Sequence, residues 1–278
     1  MYGSLVDIKV YSRVLSVDAI TQQVAAGAAL VSWRPPSNAE QGFLVKPYLQ
    51  FATTDSMRIL WETKKSSACT VSYGKQLPMT LTVESTPSQT MHEVVLTGLD
   101  AATQYLYRVS INDSGGAKME TEILSFQTAV LPDSPFAFVV IGDTQRNPPV
   151  IAKLQKMAYS LRPNFEIHCG DVVDTGPDKN EWVNEMLAES NVLMSRVPLY
   201  PTLGNHEKNH SHYYQYFSLP SPEYYYTYTY GNAQFFVLDS NKEVGPGTEQ
   251  WKWLDEQLGK SKAKWKFCLL YTSPSPRD

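Results

Sequence analysis

The hydrophobic pattern of the chain changes period near residue 130. Between Phe43 and Val130, short segments alternate or are rich in β-branched and aromatic residues: 56–62 (SMRILWE), 68–74 (ACTVSYG), 92–99 (HEVVLTGL), 105–111 (YLYRVSI) and 123–129 (ILSFQTA). Polar or glycine-containing turns such as Asp113-Ser-Gly-Gly116 separate them, a spacing that predicts a small β-sandwich. From Ser134 strands alternate with helices. Phe136–Ile141 is a continuous apolar run, as expected of a strand buried on both faces, and Val150, Ile151, Leu154, Met157, Ala158 and Leu161 follow at helical spacing. A strand at 165–169, a helix opened by Asp178 with Glu181 three residues on, and a strand through Leu199, Tyr200 and Leu203 come next. The segments 224–230 and 233–240 flank Gly231-Asn232 as a hairpin, and an amphipathic helix around Trp251, Leu254 and Leu258 leads to a strand from Lys264. The predicted fold is multidomain: an all-β sandwich over 43–130, then an α/β sandwich over 131–267, read as incomplete.

The ends of the chain read differently. Residues 5–24 pattern as a strand (Val6, Ile8 and Val10 alternating) followed by a short helix with Ser16 at its N-cap. This stretch resembles the closing strand and last helical turn of laminin-G-like, concanavalin-type sandwiches, which implies a C-terminal remnant of such a domain over 1–33; a leader strand and helix packed on the next domain is the alternative. Residues 34–42, with two prolines and no apolar period, read as a linker. The last residues, 268–278, match codon for codon a translation of the adapter used in transposon-based sequencing libraries, so they are expected to be foreign to the protein.

Composition narrows the functional classes. A net charge of −4 and a pI near 5.8 give no electrostatic case for nucleic acid as a partner. No apolar run is long enough to span a bilayer, and the start lacks a signal-peptide pattern. Cys69, Cys169 and Cys268 are scattered and outside any C-x-x-C spacing, which supports neither a disulfide framework nor a zinc knuckle.

Three short runs carry candidate chemistry: Gly142-Asp143, Gly170-Asp171 and Gly204-Asn205-His206, each following an apolar segment. Hydrolysing a phosphate ester at neutral pH needs an activated nucleophile and a clamp on the phosphoryl oxygens, and two divalent metals roughly 3.5–4 Å apart supply both. Asp143, Asp171 and Asn205 have suitable donors, and the glycines allow tight turns. GDTQ, GDVVDTG and GNHE resemble the first three motifs of the calcineurin-like metallophosphoesterases. The Lys46-Pro47-Tyr48-Leu49-Gln50 and Leu96–Val109 stretches resemble the fibronectin III-like sandwich that precedes the catalytic domain in purple acid phosphatases. The resemblance implies two divalent or mixed-valence ions (Fe, Zn or Mn), with Asp143 on the first metal, Asp171 bridging and Asn205 on the second. It gives His206 the role of contacting phosphoryl oxygens or protonating the leaving group, oriented by Asp174.

Two positions depart from that pattern. Gln145 stands where a D-x-H motif has its His and offers only a neutral oxygen to the first metal; Asp174 stands where purple acid phosphatases have a tyrosine ligand, so no tyrosinate-to-iron colour is expected. The family's later His and Gly-His-x-His motifs are not found before Phe267, which implies weak metal binding and little turnover for the chain as it stands. His92 reads as a surface strand residue, His168 as a buried neighbour of the second motif, and His210 and His212 as part of a polar loop. The Tyr213, Tyr214, Tyr216 and Tyr224–Tyr226 run reads equally as an aromatic wall or as packing.

The expected function is therefore metal-dependent hydrolysis of a small phosphorylated substrate. The alternative is a catalytically degenerate extracellular binding or adhesion protein. A secreted, periplasmic or cell-surface location, and a carbohydrate or surface contact through the N-terminal sandwich, complete the expectation.

Overall fold

The computed structural model describes residues 6–9, 42–86, 88–112 and 118–271. Strands β1 (Val6–Lys9), β2 (Phe43–Gln50), β3 (Ser56–Gly74), β4 (Leu81–Glu84), β5 (Gln89–Thr97), β6 (Gln104–Asn112), β7 (Lys118–Glu120) and β8 (Leu124–Gln127) come first. Alternation then begins with β9 (Ala137–Ile141), α1 (Pro148–Ser160) and β10 (Phe165–His168). A π-helical entry (Glu181–Leu187) into α2 (Ala188–Met194), β11 (Leu199–Pro201) and α3 (Ser211–Tyr216) follow, then β12 (Tyr226–Tyr230), β13 (Ala233–Leu238), α4 (Glu249–Lys260) and β14 (Trp265–Leu270). An N-terminal sandwich thus precedes a mixed α/β part. The helix expected near Ser16 and residues 34–41 of the linker lie outside the described residues; β1 pairs antiparallel with β9, Val6 opposite Val140.

The two predicted strands 56–62 and 68–74 are one. β3 pairs with β2 and β5 through its first half and with β4 and β6 through its second, with a register shift between Glu62 and Ser67. The polar Thr63–Ser67 stretch reads as a turn in sequence, yet it stays extended because the strand there passes from one sheet of the sandwich to the other. Alternation along β2 and β3 serves two cores at once. Leu49, Ile59 and Trp61 enter the sandwich core, whereas Val45, Tyr48 and Leu60 enter the core of the α/β part.

β9, β10 and β11 are parallel, and Leu199 of β11 faces Gln50 of β2, so the sheet continues into the sandwich. The second sheet is the β12–β13 hairpin plus β14, which pairs parallel to β13. Tyr230 faces Ala233 across the predicted Gly231-Asn232 turn, where Gly231 has φ +54°. Of the tyrosine run, Tyr213, Tyr216, Tyr225 and Tyr226 are buried, Tyr213 against Phe217 and Tyr216 against Trp182, whereas Tyr214 and Tyr224 are half-buried; Tyr228 and Tyr230 pack on Phe165 between the sheets. β14 extends through Cys268–Leu270, whose apolar side chains continue a strand whatever their origin.

Three local expectations fail for physical reasons. His92 is not a surface residue but fully buried, stacked on Trp61 at 5.1 Å and bonded to Ser85 Oγ through Nδ1 at 3.1 Å and to Thr63 Oγ1 through Nε2 at 3.2 Å. The Asp178/Glu181 capping box does not form, because Glu181 Oε2 accepts from the amides of Asp174 and Thr175 at 2.8 and 2.7 Å. His210 and His212 do not sit in an open loop: His210 caps α3, and His212 Nδ1 pairs with the carbonyl of Gly176 at 3.1 Å.

Burial lowers the His92 pKa below that of an exposed imidazole. The unfolded chain therefore takes up the proton first, and this residue's stabilisation is present above about pH 6.5 and lost as pH falls, by up to about 1.4 kcal/mol per unit. The stability advantage of the native chain over His92→Gln, measured by urea denaturation, should shrink from pH 7 to pH 5. A pH-independent difference would refute the assignment.

Candidate active site

Parallel pairing sets three loops side by side. Ile141, His168 and Pro201 lie in register across β9, β10 and β11, so the segments carrying Asp143, Asp171 and Asn205-His206 leave the same sheet edge. Backbone bonds join the first two loops: the amide of Asp143 donates to the carbonyl of Gly170 at 3.1 Å, and those of Thr144 and Gln145 to the carbonyl of Asp171 at 3.1 and 3.2 Å. Gly176 donates to the carbonyl of His206 at 3.0 Å, closing the second loop on the third.

The chain pays for this convergence in backbone strain. Asp143, Arg146 and Asp171 hold φ of +52°, +65° and +55°, left-handed values that side chains with a Cβ seldom adopt. Gly204 has no alternative: a Cβ there would overlap the amide and Oδ1 of Asp171 and stand 2.6 Å from Glu207 Oε2.

Asp171, fully buried, is the hub. Its Oδ1 accepts from the amide of His206 at 3.0 Å, and its Oδ2 accepts from Gln145 Nε2 at 3.3 Å and lies 3.9 Å from His206 Nε2. His206 Nδ1 is 2.7 Å from the carbonyl of Asp174 and 2.9 Å from its Oδ1. Arg146 Nη2 reaches that same Asp174 oxygen at 2.6 Å. The Arg146 bond holds the Asp174 carboxyl below the usual carboxylate range, while partial burial, then the charge of Asp171, pushes Asp143 up.

The structure thus joins Gln145, Asp171, Asp174 and His206 in one chain of contacts, with Asp143 near enough to feel the charge of Asp171. Asn205 is exposed beside His206 and takes no part in those contacts, its carbonyl accepting from Lys208 at 3.2 Å. His168 is buried as expected, bonded through Nε2 to Thr144 Oγ1 at 2.9 Å, and burial drives its pKa down to about 3. Tyr271, within the stretch expected to be foreign, reaches Asp143 Oδ1 at 3.3 Å and is assigned no role.

The donor chemistry fits a divalent cation. Gln145 Oε1 is a buried acceptor without a hydrogen-bond partner, on the amide whose Nε2 donates to Asp171 Oδ2. Among the described residues no three His, Cys, Asp or Glu side chains form a ready cation group.

Sequence reasoning stopped one residue short. Glu207, fully buried, accepts from Val172 at 2.7 Å through Oε1, and from Gly204 at 2.6 Å and Asp171 at 3.1 Å through Oε2. Burial, then Asp171, raises its pKa to about 7. Its signal was the glutamate that ends GNHE. On the other side, Asn241 Nδ2 donates to the carbonyl of Gly204 at 3.1 Å, a contact that only the fold reveals.

Glu207→Ala strands these amides in the interior and should cost about 3–5 kcal/mol. Urea denaturation at pH 8 measures it; a loss within about 0.5 kcal/mol, the range of an ordinary surface substitution, would refute the clamp.

Residues 136–277 match the calcineurin-like phosphoesterase family, and residues 17–128 match the purple acid phosphatase N-terminal domain. Among solved structures, a purple acid phosphatase from yellow lupin (Lupinus luteus) seeds shares the fold at 16% identity with a TM-score of 0.70; the match covers 81% of this chain and 50% of that one. The chain thus spans about half the length of the lupin protein. A fibronectin type III domain of the human collagen alpha-1(XX) chain is 18% identical over 37% of this chain and 89% of that one, with a TM-score of 0.28. No curated protein matches the chain.

Proposed function

The chain belongs to the calcineurin-like phosphoesterase family, and on that premise we propose that it contributes to metal-dependent hydrolysis of a small phosphorylated substrate. The observation that carries the reading is the convergence of the Asp143, Asp171 and Asn205-His206 loops on the buried Asp171 carboxylate. Asp143, Gln145, Asp171 and Asn205 are the residues that would hold the cations. Bound divalent ions would supply an activated water and a charge clamp on the phosphoryl oxygens.

The protein's own groups have separate tasks. His206 commits Nδ1 to Asp174, which leaves Nε2 facing the Asp171 side of the cluster, where it can pass a proton to a leaving oxygen. Asp174, kept ionised by Arg146, orients that ring. Glu207 holds the amides behind Asp171 and Gly204, so the carboxylate cannot retreat from the cluster.

One contact favours a second reading, a degenerate binding protein: Gln145 turns its NH₂ toward Asp171 Oδ2, a donor where a metal ligand would present oxygen. The reading of a working site requires that amide to turn over.

Mn²⁺ titration of the 278-residue chain, followed by electron paramagnetic resonance, separates the readings. Mn²⁺ should bind at a site weakened at least about tenfold in Asp171→Asn, and aryl phosphate hydrolysis should fall about 10²–10⁴-fold in His206→Ala. Hydrolysis that is lost in Asp171→Asn would end the degenerate reading. Equal Mn²⁺ binding by both chains would end the metal reading.

A further inference from the structure

Glu62 sits on β3 at the seam between the two parts. Ile59 and Trp61 enter the sandwich core and Leu60 enters the α/β core, so strand alternation turns Glu62, two residues beyond Leu60, toward the α/β part. It is 2% exposed, and both its oxygens are engaged there: Oε1 accepts from Lys179 Nζ at 2.6 Å and Oε2 from the Tyr216 hydroxyl at 2.8 Å.

The placement of those two partners gives the contact its meaning. Lys179 follows the loop that carries Asp171 and Asp174; between them, Asp178 donates to the carbonyl of Thr175 at 2.7 Å, and Glu181 takes the amides of Asp174 and Thr175. Tyr216 ends α3, the element that follows the Gly204–His210 loop, and its carbonyl accepts from Tyr48 at 2.7 Å and Gln50 at 3.3 Å, both on β2. A single buried carboxylate of the sandwich therefore grips the segment behind each of two site loops. Two further ties between the parts lie just beyond α2, where Tyr107 bonds the carbonyl of Ser195 at 2.7 Å and Glu122 pairs with Arg196.

We propose that Glu62 is a positioning residue that fixes the loop carrying Asp171 and Asp174 relative to the loop carrying Asn205 and His206, acting through Lys179 and Tyr216. The sandwich is then part of the site's framework. A buried carboxylate that loses a charged partner keeps its desolvation penalty without compensation, so neither partner can drift without that cost. The inference uses the metal reading only for its functional consequence, since the geometry is measurable without metal.

Amide hydrogen exchange on the 278-residue chain tests it. Glu62→Gln keeps the shape and one acceptor, Lys179→Met removes the arm to the first loop, and Tyr216→Phe the arm to the second. Glu62→Gln should accelerate exchange about tenfold at residues 171–175 and 204–207 together, with β6 and β10 unchanged; Lys179→Met should affect 171–175 alone and Tyr216→Phe 204–207 alone. Mn²⁺ affinity should fall about three- to tenfold in Glu62→Gln. Unchanged exchange at both loops, or uniform acceleration along the chain in Lys179→Met and Tyr216→Phe, would overturn the proposal, and these two variants decide it if Glu62→Gln does not fold. If the native chain binds no Mn²⁺, the metal reading fails while exchange still decides the role of Glu62.

Discussion

The close approach of backbone to backbone at Gly170 and Gly204 governs the working end of the molecule. A Cβ on Gly170 would lie 2.8 Å from Gly204 Cα. Loops this close leave no room for water between their amides, so those amides need a partner from the protein. Glu207 is that partner, and an ionised carboxylate is the acceptor best matched to several converging N–H groups. Its elevated pKa follows: the bonds from Asp171, Gly204 and Val173 favour the charged form, but burial and the nearby Asp171 charge outweigh them. The strained φ values of Asp143 and Asp171 persist because the loops are over-determined by these bonds.

A second constraint acts at the seam. β2 and β3 are lined by two hydrophobic cores, one on each face, so these strands cannot be solvated if the parts separate. Exposing Leu60, Tyr48 and Val45 would cost roughly 1.5–3 kcal/mol for each large side chain. The polar groups across the seam, Glu62, Gln50 and Arg58 among them, add direction to that adhesion. Gln50 Oε1 accepts from the amide of Ser218 at 2.6 Å, and Ser218 Oγ accepts from Arg58 Nη1 at 2.5 Å and donates to Glu93 Oε1 at 2.7 Å, so the chain after α3 is fixed in register with the sandwich.

Much of this was legible in the chain itself, for reasons that particular residues make plain. β9 announces itself as an unbroken apolar run because both faces are covered, and Gly231-Asn232 marks its hairpin because two residues must reverse the chain. The motif residues were legible as oxygen and nitrogen donors after strands. What escaped reading depends on distant contacts. His92 looks like any polar residue in an alternating strand until Trp61, Thr63 and Ser85 close around it. Glu181 has capping-box spacing but finds better donors in the Asp174 and Thr175 amides, which a loop folding back on itself brings within reach. Trp251 and Leu258 follow helical spacing in α4, yet they are 39% and 41% exposed and the buried residue is Gln250, which bonds Asp239. Amphipathic spacing names a face; it does not say what that face meets.

The charges in the site point in one direction. Asp143, Asp171 and Glu207 crowd together, and each pair of negative charges favours protonation of one partner. Protein cations relieve only the periphery: Arg146 pairs with Asp174 and stands 68% exposed, on the solvent side of the cluster. Asp171 is left with neutral donors, the amide of His206 and the side chain of Gln145. Burying a carboxylate is costly, and this fold meets that cost with neutral donors at Glu207 as well, through the amides of Asp171, Val172 and Gly204. Strained backbone and the clamped Glu207 hold these carboxylates together with no arginine or lysine among the described residues against Asp171, a charge balance that a bound cation would relieve.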